Sequence, residues 1–410
     1  MIDVAIIGGA LNGLTAALAL AGPAARTPVP TVVIDRAEPQ NYGDPARDRR
    51  ASAITAASRR MLMAIGVWEA IAPQAQAMRR IAVTDSALAS DGARPVLLHF
   101  EEDDQPGEPA AFMVENHHLH QVLYAAARSA PEIDFITGHG VVTCDYGEQV
   151  GAVGLADGTS VRARLVVAAD GRNSRARAAA GIAGAGWSYG QSAIVTTIAH
   201  DRPHDGVAVE HFLPAGPFAV LPLTGNRSAI VWTEATETAA AMLAASPAQQ
   251  LQELQARVGE GLGTITMIGG LQSFPLDLFI AESFIGQRLA LIGDAAHVIH
   301  PIAGLGFNLG MRDAAALAEV VVEDARLGLD HGAAATLRRY QAWRRFDTMM
   351  VAAATDGLNR LFSNDNQALR LIRSAGLRVV DQLSPARAAF MREAAGLTGT
   401  LPRLLSGMPL

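Results

Sequence analysis

The chain has 410 residues, half of them apolar and 18% charged, which leaves room for two or three domains with large cores and excludes an intrinsically disordered protein. Lys and Arg number 33 against 40 Asp and Glu, a net charge of −7, the wrong sign for a protein that grips a phosphate backbone. The single cysteine, Cys144, excludes an internal disulfide, a paired-cysteine redox centre and a thiolate zinc site, and suits a reducing compartment.

No apolar run has the roughly 18 residues of a membrane span. The apolar start lacks a basic region and is interrupted by Asp3, Asn12 and Thr15, so it does not read as a signal peptide and the expected location is the cytoplasm. Residues 4–7 read as a strand, 8–13 as a glycine-rich turn and 14–21 as a helix; after a proline-rich loop, 31–34 read as a second strand ending at Asp35. The spacing of Met61, Leu62, Ile65 and Trp68 predicts a helix over 58–70, and residues 76–110 read as acidic and irregular. Helix returns at 119–127, and a strand at 165–169 leads into Asp170-Gly171. Alternating segments at 193–198, 207–213, 218–221 and 228–233, separated by turn signals, predict an antiparallel sheet. A further strand at 289–292 precedes a glycine-rich stretch and a helix from about Met311, and the chain after about Ala333 reads as helical and rich in Arg.

Three of these junctions carry chemistry. In Gly8-x-Ala10-x-x-Gly13, a strand end and tight turn present the amides and dipole of a helix N-terminus to a pyrophosphate, with Ala10 where the usual pattern has its middle glycine. Asp35 ends the next strand and is placed to bond a ribose hydroxyl; an ordinary small-residue turn is the alternative for this motif alone. In Asp170-Gly171-Arg172-Asn173-Ser174-Arg175-Ala176-Arg177, Ser174 and Arg177 lie one helical turn apart, and an Asx-type turn with a basic surface helix is the alternative. In residues 293–310, Asp294 stands at a strand end where it can accept from ribityl hydroxyls, while Gly304 and Gly306 open a helix toward an anionic or electron-rich group.

Together the three motifs resemble the signature set of flavin-dependent aromatic hydroxylases, single-component monooxygenases that use FAD and NAD(P)H. The chain is most similar to the ubiquinone-biosynthesis hydroxylases, which act on polyprenylated phenols. That likeness is carried by Arg50-Ala51-Ser52-Ala53-Ile54, Val114-Glu115-Asn116-x-x-Leu119, Gly216-Pro217-x-Ala219-x-Leu221-Pro222-Leu223, residues 303–313, Tyr340-x-x-x-Arg344-x-x-Asp347 and residues 355–362, and runs from Val4 to about Gly396. Leu305 departs from it, since many members carry Gln there.

The resemblance implies an α/β fold. A Rossmann-type FAD-binding domain is expected from residues 1–75, 105–180 and 275–330, an interleaved, mostly antiparallel β-sheet substrate domain from 76–104 and 181–274, and a C-terminal helical region over 331–410. It implies FAD contacts from Gly8, Gly9, Ala10 and Gly13, from Asp35 and Arg36, and from Asp170, Gly293, Asp294, Gly304 and Gly306. Arg50 is expected at the phosphates, Asn116 at the ribityl or pyrophosphate region, and Phe307 and Asn308 along the isoalloxazine edge. In the implied reaction NAD(P)H reduces FAD, O2 adds to give a flavin hydroperoxide, and a polyprenylated phenol is hydroxylated.

Pro301, just before the flavin glycines, and Pro222, at a sheet-strand end, are the candidate pocket walls; no residue stands out as a catalytic base. No metal is expected, because His117, His118 and His120 lack a carboxylate or thiol partner at ligand spacing, and His297 reads as a packed, hydrogen-bonded residue. Another FAD-dependent oxidoreductase, or a non-catalytic FAD-binding scaffold, is the alternative. A disulfide reductase needs paired cysteines, and the Trp-x-Trp-x-Ile motif of tryptophan-type halogenases is absent. Because a polyprenyl tail resides in the bilayer, the arginines from Arg338 to Arg392 are candidates for peripheral contact with the inner face of the cell membrane, or with other ubiquinone-biosynthesis proteins. The alternative is that those helices pack on the preceding domains and their arginines pair with Asp347, Asp356, Asp365 and Asp381.

Overall fold

The computed structural model describes residues 1–38, 41–85, 96–101, 109, 111–362 and 396–410. The strand Ile2–Ile7 is almost wholly apolar, as a central parallel strand buried on both faces must be, and it pairs in parallel with Thr31–Asp35 on one side and Ser160–Ala168 on the other. Leu289–Leu291 extends this sheet beyond Ser160–Ala168 and Ile133–Thr137 extends it beyond Thr31–Asp35. The helices Leu11–Ala21 and Leu305–Arg326 pack on each other, and their buried Ala, Leu and Val side chains join the sheet in one core.

A second sheet runs His297–Val298, Ile265–Ala281, Gly184–His200, Arg227–Ala235, Gly216–Leu223, Val207–Leu213, Arg80–Asp85, Val96–Glu101. All its pairings are antiparallel except that of Val207–Leu213 with Arg80–Asp85. Residues 76–110 are therefore not simply irregular: they supply two strands to this sheet. A third, Gln76–Met78, pairs with Ala111–Glu115 beside Ala51–Thr55 in a small separate sheet. These pairings are with distant partners, which local periodicity does not report. The strand Ile265–Ala281 runs the length of Gly184–His200, so a boundary at 275 falls inside a continuous strand.

One face of the second sheet is covered by helices Thr236–Ala244 and Pro247–Val258, which the sequence periodicity left unassigned, over Ile194, Ile198, Phe218, Val220, Ile230 and Trp232. The expected helix over 58–70 divides into Ala56–Ala64 and Trp68–Ile71, separated at Gly66, which has φ +79°. Helix Leu305–Arg326 starts directly after Gly304 rather than near Met311. The helix Ala334–Phe362 follows, but residues 396–410 are helical only in the single turn Arg403–Ser406. Leu404, Leu405 and Leu410 belong to the core around the parallel sheet, and the Leu410 N–H donates to the Ala24 carbonyl. Asp365, Arg370, Arg373, Arg378, Asp381, Arg387 and Arg392 lie outside the described residues.

Candidate flavin site and substrate cavity

At Gly8 the backbone takes φ +110°, and a Cβ would collide with the Ala169 carbonyl; a Cβ at Gly13 would collide with the Gly8 carbonyl. Only glycine permits this crossing of strand, turn and helix. Ala10 precedes the helix in extended backbone and its side chain lines the cavity, so the departure from a middle glycine is accommodated. Asp35 fastens the turn: its carboxylate accepts from the Gly9 and Ala37 N–H groups and from the Tyr42 hydroxyl, and it does not line the cavity. Arg36 is exposed beside it. His120 Nε2 lies 3.0 Å from the Gly9 carbonyl, bracing the same turn.

The third motif closes on the first. Gly293, at φ +55°, and Gly310 both face the Asn12 side chain, and a Cβ at either position would collide with its amide. Asn12 Oδ1 is buried with no hydrogen-bond partner. Asp294 projects into the cavity unpaired; enclosure raises its pKa, while His297, Arg50 and Arg172 pull it back. Gly304 takes φ +63°, and with Gly306 and Phe307 it lines the cavity.

Several of the expected contact residues also have partners within the protein. Asn308 donates to the Ala53 carbonyl at 2.7 Å and accepts from the Thr55 N–H at 3.1 Å, clasping the strand Ala51–Thr55 to the helix, and it lies off the main cavity. Asp170 accepts from the Arg175 and Ala176 N–H groups through Oδ2 while its Oδ1 is buried without a hydrogen-bond partner, and Ser174 Oγ accepts from Arg177 N–H at 3.0 Å as a helix cap. Its Arg177 reaches the third motif, donating to the Ala295 carbonyl at 2.7 Å. Arg50 lines the cavity with its guanidinium forked onto Asp48 at 2.8 and 2.7 Å. Asn116 also lines it, as the first residue of helix Asn116–Ser129, and accepts from Ser52 Oγ at 2.7 Å.

Behind the flavin motif is a buried network that the spacing Tyr340, Arg344, Asp347 builds. Asp313 accepts from the Gly293 N–H at 3.0 Å, meets His297 Nε2 at 2.6 Å and accepts from Arg344 Nε at 2.8 Å. Burial alone would raise the Asp313 carboxyl, but His297 and Arg344 outweigh it and hold the pKa below the ordinary value. Arg344 and Arg312 share Asp347, and the Tyr340 hydroxyl donates to the Leu291 carbonyl at 2.6 Å.

The cavity, of about 470 Å³, lies between these motifs and the uncovered face of the second sheet. Pro301 lines it. Pro222 does not: alternation along Gly216–Leu223 turns Pro217, Ala219 and Leu221 to the cavity and Pro222 to the helix-covered side with Phe218 and Val220. The orphaned Asn12 oxygen, the open Asp294 and the collision-limited glycines fit a dinucleotide extended from the first turn to the third.

A family model described as FAD binding domain matches residues 1–353, so the chain belongs to that class of flavoproteins. The ubiquinone hydroxylase UbiL of Rhodospirillum rubrum is 43% identical over all of this chain and 93% of its own length. The 3-demethoxyubiquinol 3-hydroxylase of Escherichia coli K12 is 31% identical over 96% of this chain and 98% of its own. Within the class, the chain thus belongs to the ubiquinone-biosynthesis FAD hydroxylases, which are flavin-dependent monooxygenases. The same fold occurs in the crystal structure of p-nitrophenol 4-monooxygenase PnpA from Pseudomonas putida DLL-E4, with a TM-score of 0.80, 20% identity, and coverage of 97% of this chain and 98% of that one.

Proposed function

We propose that this chain hydroxylates the aromatic ring of a polyprenylated phenol in ubiquinone biosynthesis, with FAD as resident cofactor and NAD(P)H and O2 as co-substrates. The observation that carries the reading is one continuous cavity: its cofactor end is built from the glycine motifs and Asp294, and its sheet end is apolar enough for a ring and the first units of an isoprenoid tail. Bound FAD supplies the two-electron and oxygen chemistry. Ala10, Asn12, Arg50, Asn116, Asp294, Gly304, Gly306 and Phe307 are the proposed cofactor contacts, and Met78, Met113, Leu221, Leu276 and Pro301 the proposed ring walls that exclude water. Asp313, through Gly293 and His297, holds the flavin turn in place.

For access to a bilayer-borne substrate, the proposed contact is the helix Ala334–Phe362. Its exposed face carries Phe346, Met349 and Met350 with Arg338 and Arg345, which suits an anionic lipid surface. The deciding experiment supplies FAD, NAD(P)H, a prenylated phenol and heavy-isotope O2 to the purified protein. One labelled oxygen in the ring product is expected; NAD(P)H consumption without labelled product, or label taken from water, overturns the reading.

A further inference from the structure

Two polar side chains that line the cavity, Thr233 through its hydroxyl and His300 through both ring nitrogens, are buried without a hydrogen-bond partner, and the half-buried Glu210 on the sheet wall makes no side-chain hydrogen bond or ion pair with any described residue. Enclosed polar groups without partners are rare, because each forfeits its hydration. Glu210 is the least expected of them. It sits inside the strand Val207–Leu213, directly opposite Ala219 on one neighbour and Val83 on the other, and neither side chain offers it a hydrogen bond. The next residue, His211, faces the helix-covered side against Phe218, so alternation turns Glu210 to the cavity. A Val or Thr would serve this strand position without desolvating a carboxylate, so the fold gives no reason for Glu here.

Resting on the hydroxylase reading, we propose that Glu210 is a catalytic residue that takes the proton of the substrate's ring hydroxyl. The phenolic O–H bond breaks, the proton passes to a Glu210 oxygen, and the electron pair stays on the ring oxygen. The pair carries one negative charge before and after, so no charge is created in the apolar chamber. The phenolate enriches the ring at the positions ortho and para to that oxygen, where hydroxylation needs electron density.

The environment tunes the acceptor for this task. Burial alone pushes the Glu210 carboxyl up to about 7. Among the described residues, the other ionisable groups of the cavity are His300, Arg49, whose guanidinium donates to the Ile268 carbonyl of the second sheet, and, at the cofactor end, Arg50, Asp294 and His297; none offsets that burial. An acceptor near 7 is better matched to a phenol at about 10 than an ordinary carboxylate at about 4. His300 is held down to about 4 by its own burial, so it stays neutral near pH 7 and contributes no ionisation there.

The test is the holoenzyme carrying Glu210→Gln, which keeps shape and polarity but cannot take a proton. Product formation is expected to fall about 100-fold. The rise of kcat/KM through pH 7 should disappear, while FAD content stays unchanged. A ring-fluorinated prenylphenol, already ionised at the assay pH, should restore most of the variant's rate, a rescue that a merely structural role would not produce. Equal rates and pH profiles for the variant and the parent overturn the proposal. If the variant does not fold, the unsubstituted enzyme still decides: a kcat/KM profile without an ionisation between about pH 6 and 8 overturns it. Failure of the unsubstituted enzyme to label any prenylated phenol would instead overturn the hydroxylase reading itself.

Discussion

Asn12, in the first turn of the helix Leu11–Ala21, packs against Gly310, in the helix Leu305–Arg326, so closely that a single methyl at 310 would overlap its amide. The two ends of the dinucleotide site are thus one packed unit, although 298 residues separate them in the chain. Gly293 closes the other side of the same amide and leaves it little room to retreat.

Gly310→Ala is therefore expected to destabilise the protein by roughly 1–3 kcal/mol and to weaken flavin retention. Asn12→Ala in the same chain should recover most of that stability by vacating the space. Thermal unfolding of the two single variants and the double variant measures the coupling; additive effects would show that the contact does not limit residue 310.

Among the described residues, Asp294 is the one carboxylate that projects unpaired into the cofactor end of the cavity. Asp294→Ala should weaken FAD binding by roughly 1.5–3 kcal/mol, or about 10- to 150-fold in Kd, if that carboxylate accepts from the ribityl hydroxyls. Titration of the apoprotein with FAD checks it, and an unchanged Kd removes the assignment.

Arg344→Met should be costlier for the fold, about 3–5 kcal/mol at neutral pH, because it strands the fully buried Asp313 without its guanidinium partner. The folded-state pKa of Asp313 lies below the ordinary 3.8, so its contribution is present above that pH and is lost as pH falls through the depressed value. Denaturant unfolding of parent and variant should give a difference that is largest at neutral pH and shrinks on acidification. A difference independent of pH would mean that packing, not the ion pair, sets it.

The glycine motifs were legible in the sequence because their requirement is local: Gly8 and Gly293 need backbone that other residues avoid, and Gly13 needs the space of a missing side chain. What the sequence leaves undecided has a common cause. Asp35, Asp170 and Asn308 have the right chemistry beside the right motifs, but the same side chains suit a clasp on the turn as well as a contact to a ligand, and only three-dimensional partners separate the two. Pro222 and Glu210 show the limit for strands. Alternation says that neighbours face opposite ways, yet which way is inward depends on helices 236–258, which periodicity did not reveal.

Glu210 makes a stability prediction of opposite sign to that of Asp313. Its folded-state pKa is raised from 4.5 to about 7, so the folded protein holds that proton more tightly than the unfolded chain, and stability falls as pH rises across this window. Glu210→Gln should therefore be the more stable protein at pH 8, by at most about 3 kcal/mol, with the advantage vanishing below about pH 4.5. Equal stability at both pH values would show that the carboxylate is well solvated where it stands.

The last prediction concerns the outer face of the helix Ala334–Phe362. Its arginines divide into two groups. Arg339, Arg344 and Arg360 are committed to Asp324, Asp313 and Asp356, as a packing role requires, whereas Arg338 and Arg345 are exposed on the side where Phe346, Met349 and Met350 project. Phe346 is 73% exposed, and positions 346, 349 and 350 fall on one helical face by their spacing, so the three can enter a surface together. No helix among the described residues is long and apolar enough to cross a membrane, so this face would lie on the lipid rather than span it. Replacing Phe346 and Met350 together by Asp should cost roughly 2 kcal/mol or more of membrane affinity, about a 30-fold loss, through lost apolar burial and added repulsion from anionic headgroups. Co-sedimentation with vesicles containing about a third anionic lipid measures this. Activity on a short-tailed phenol should be unchanged, while activity on a long-tailed phenol presented in vesicles should fall with the binding. Unaltered vesicle binding, or an equal loss on both substrates, would remove this helix face from the encounter with the bilayer.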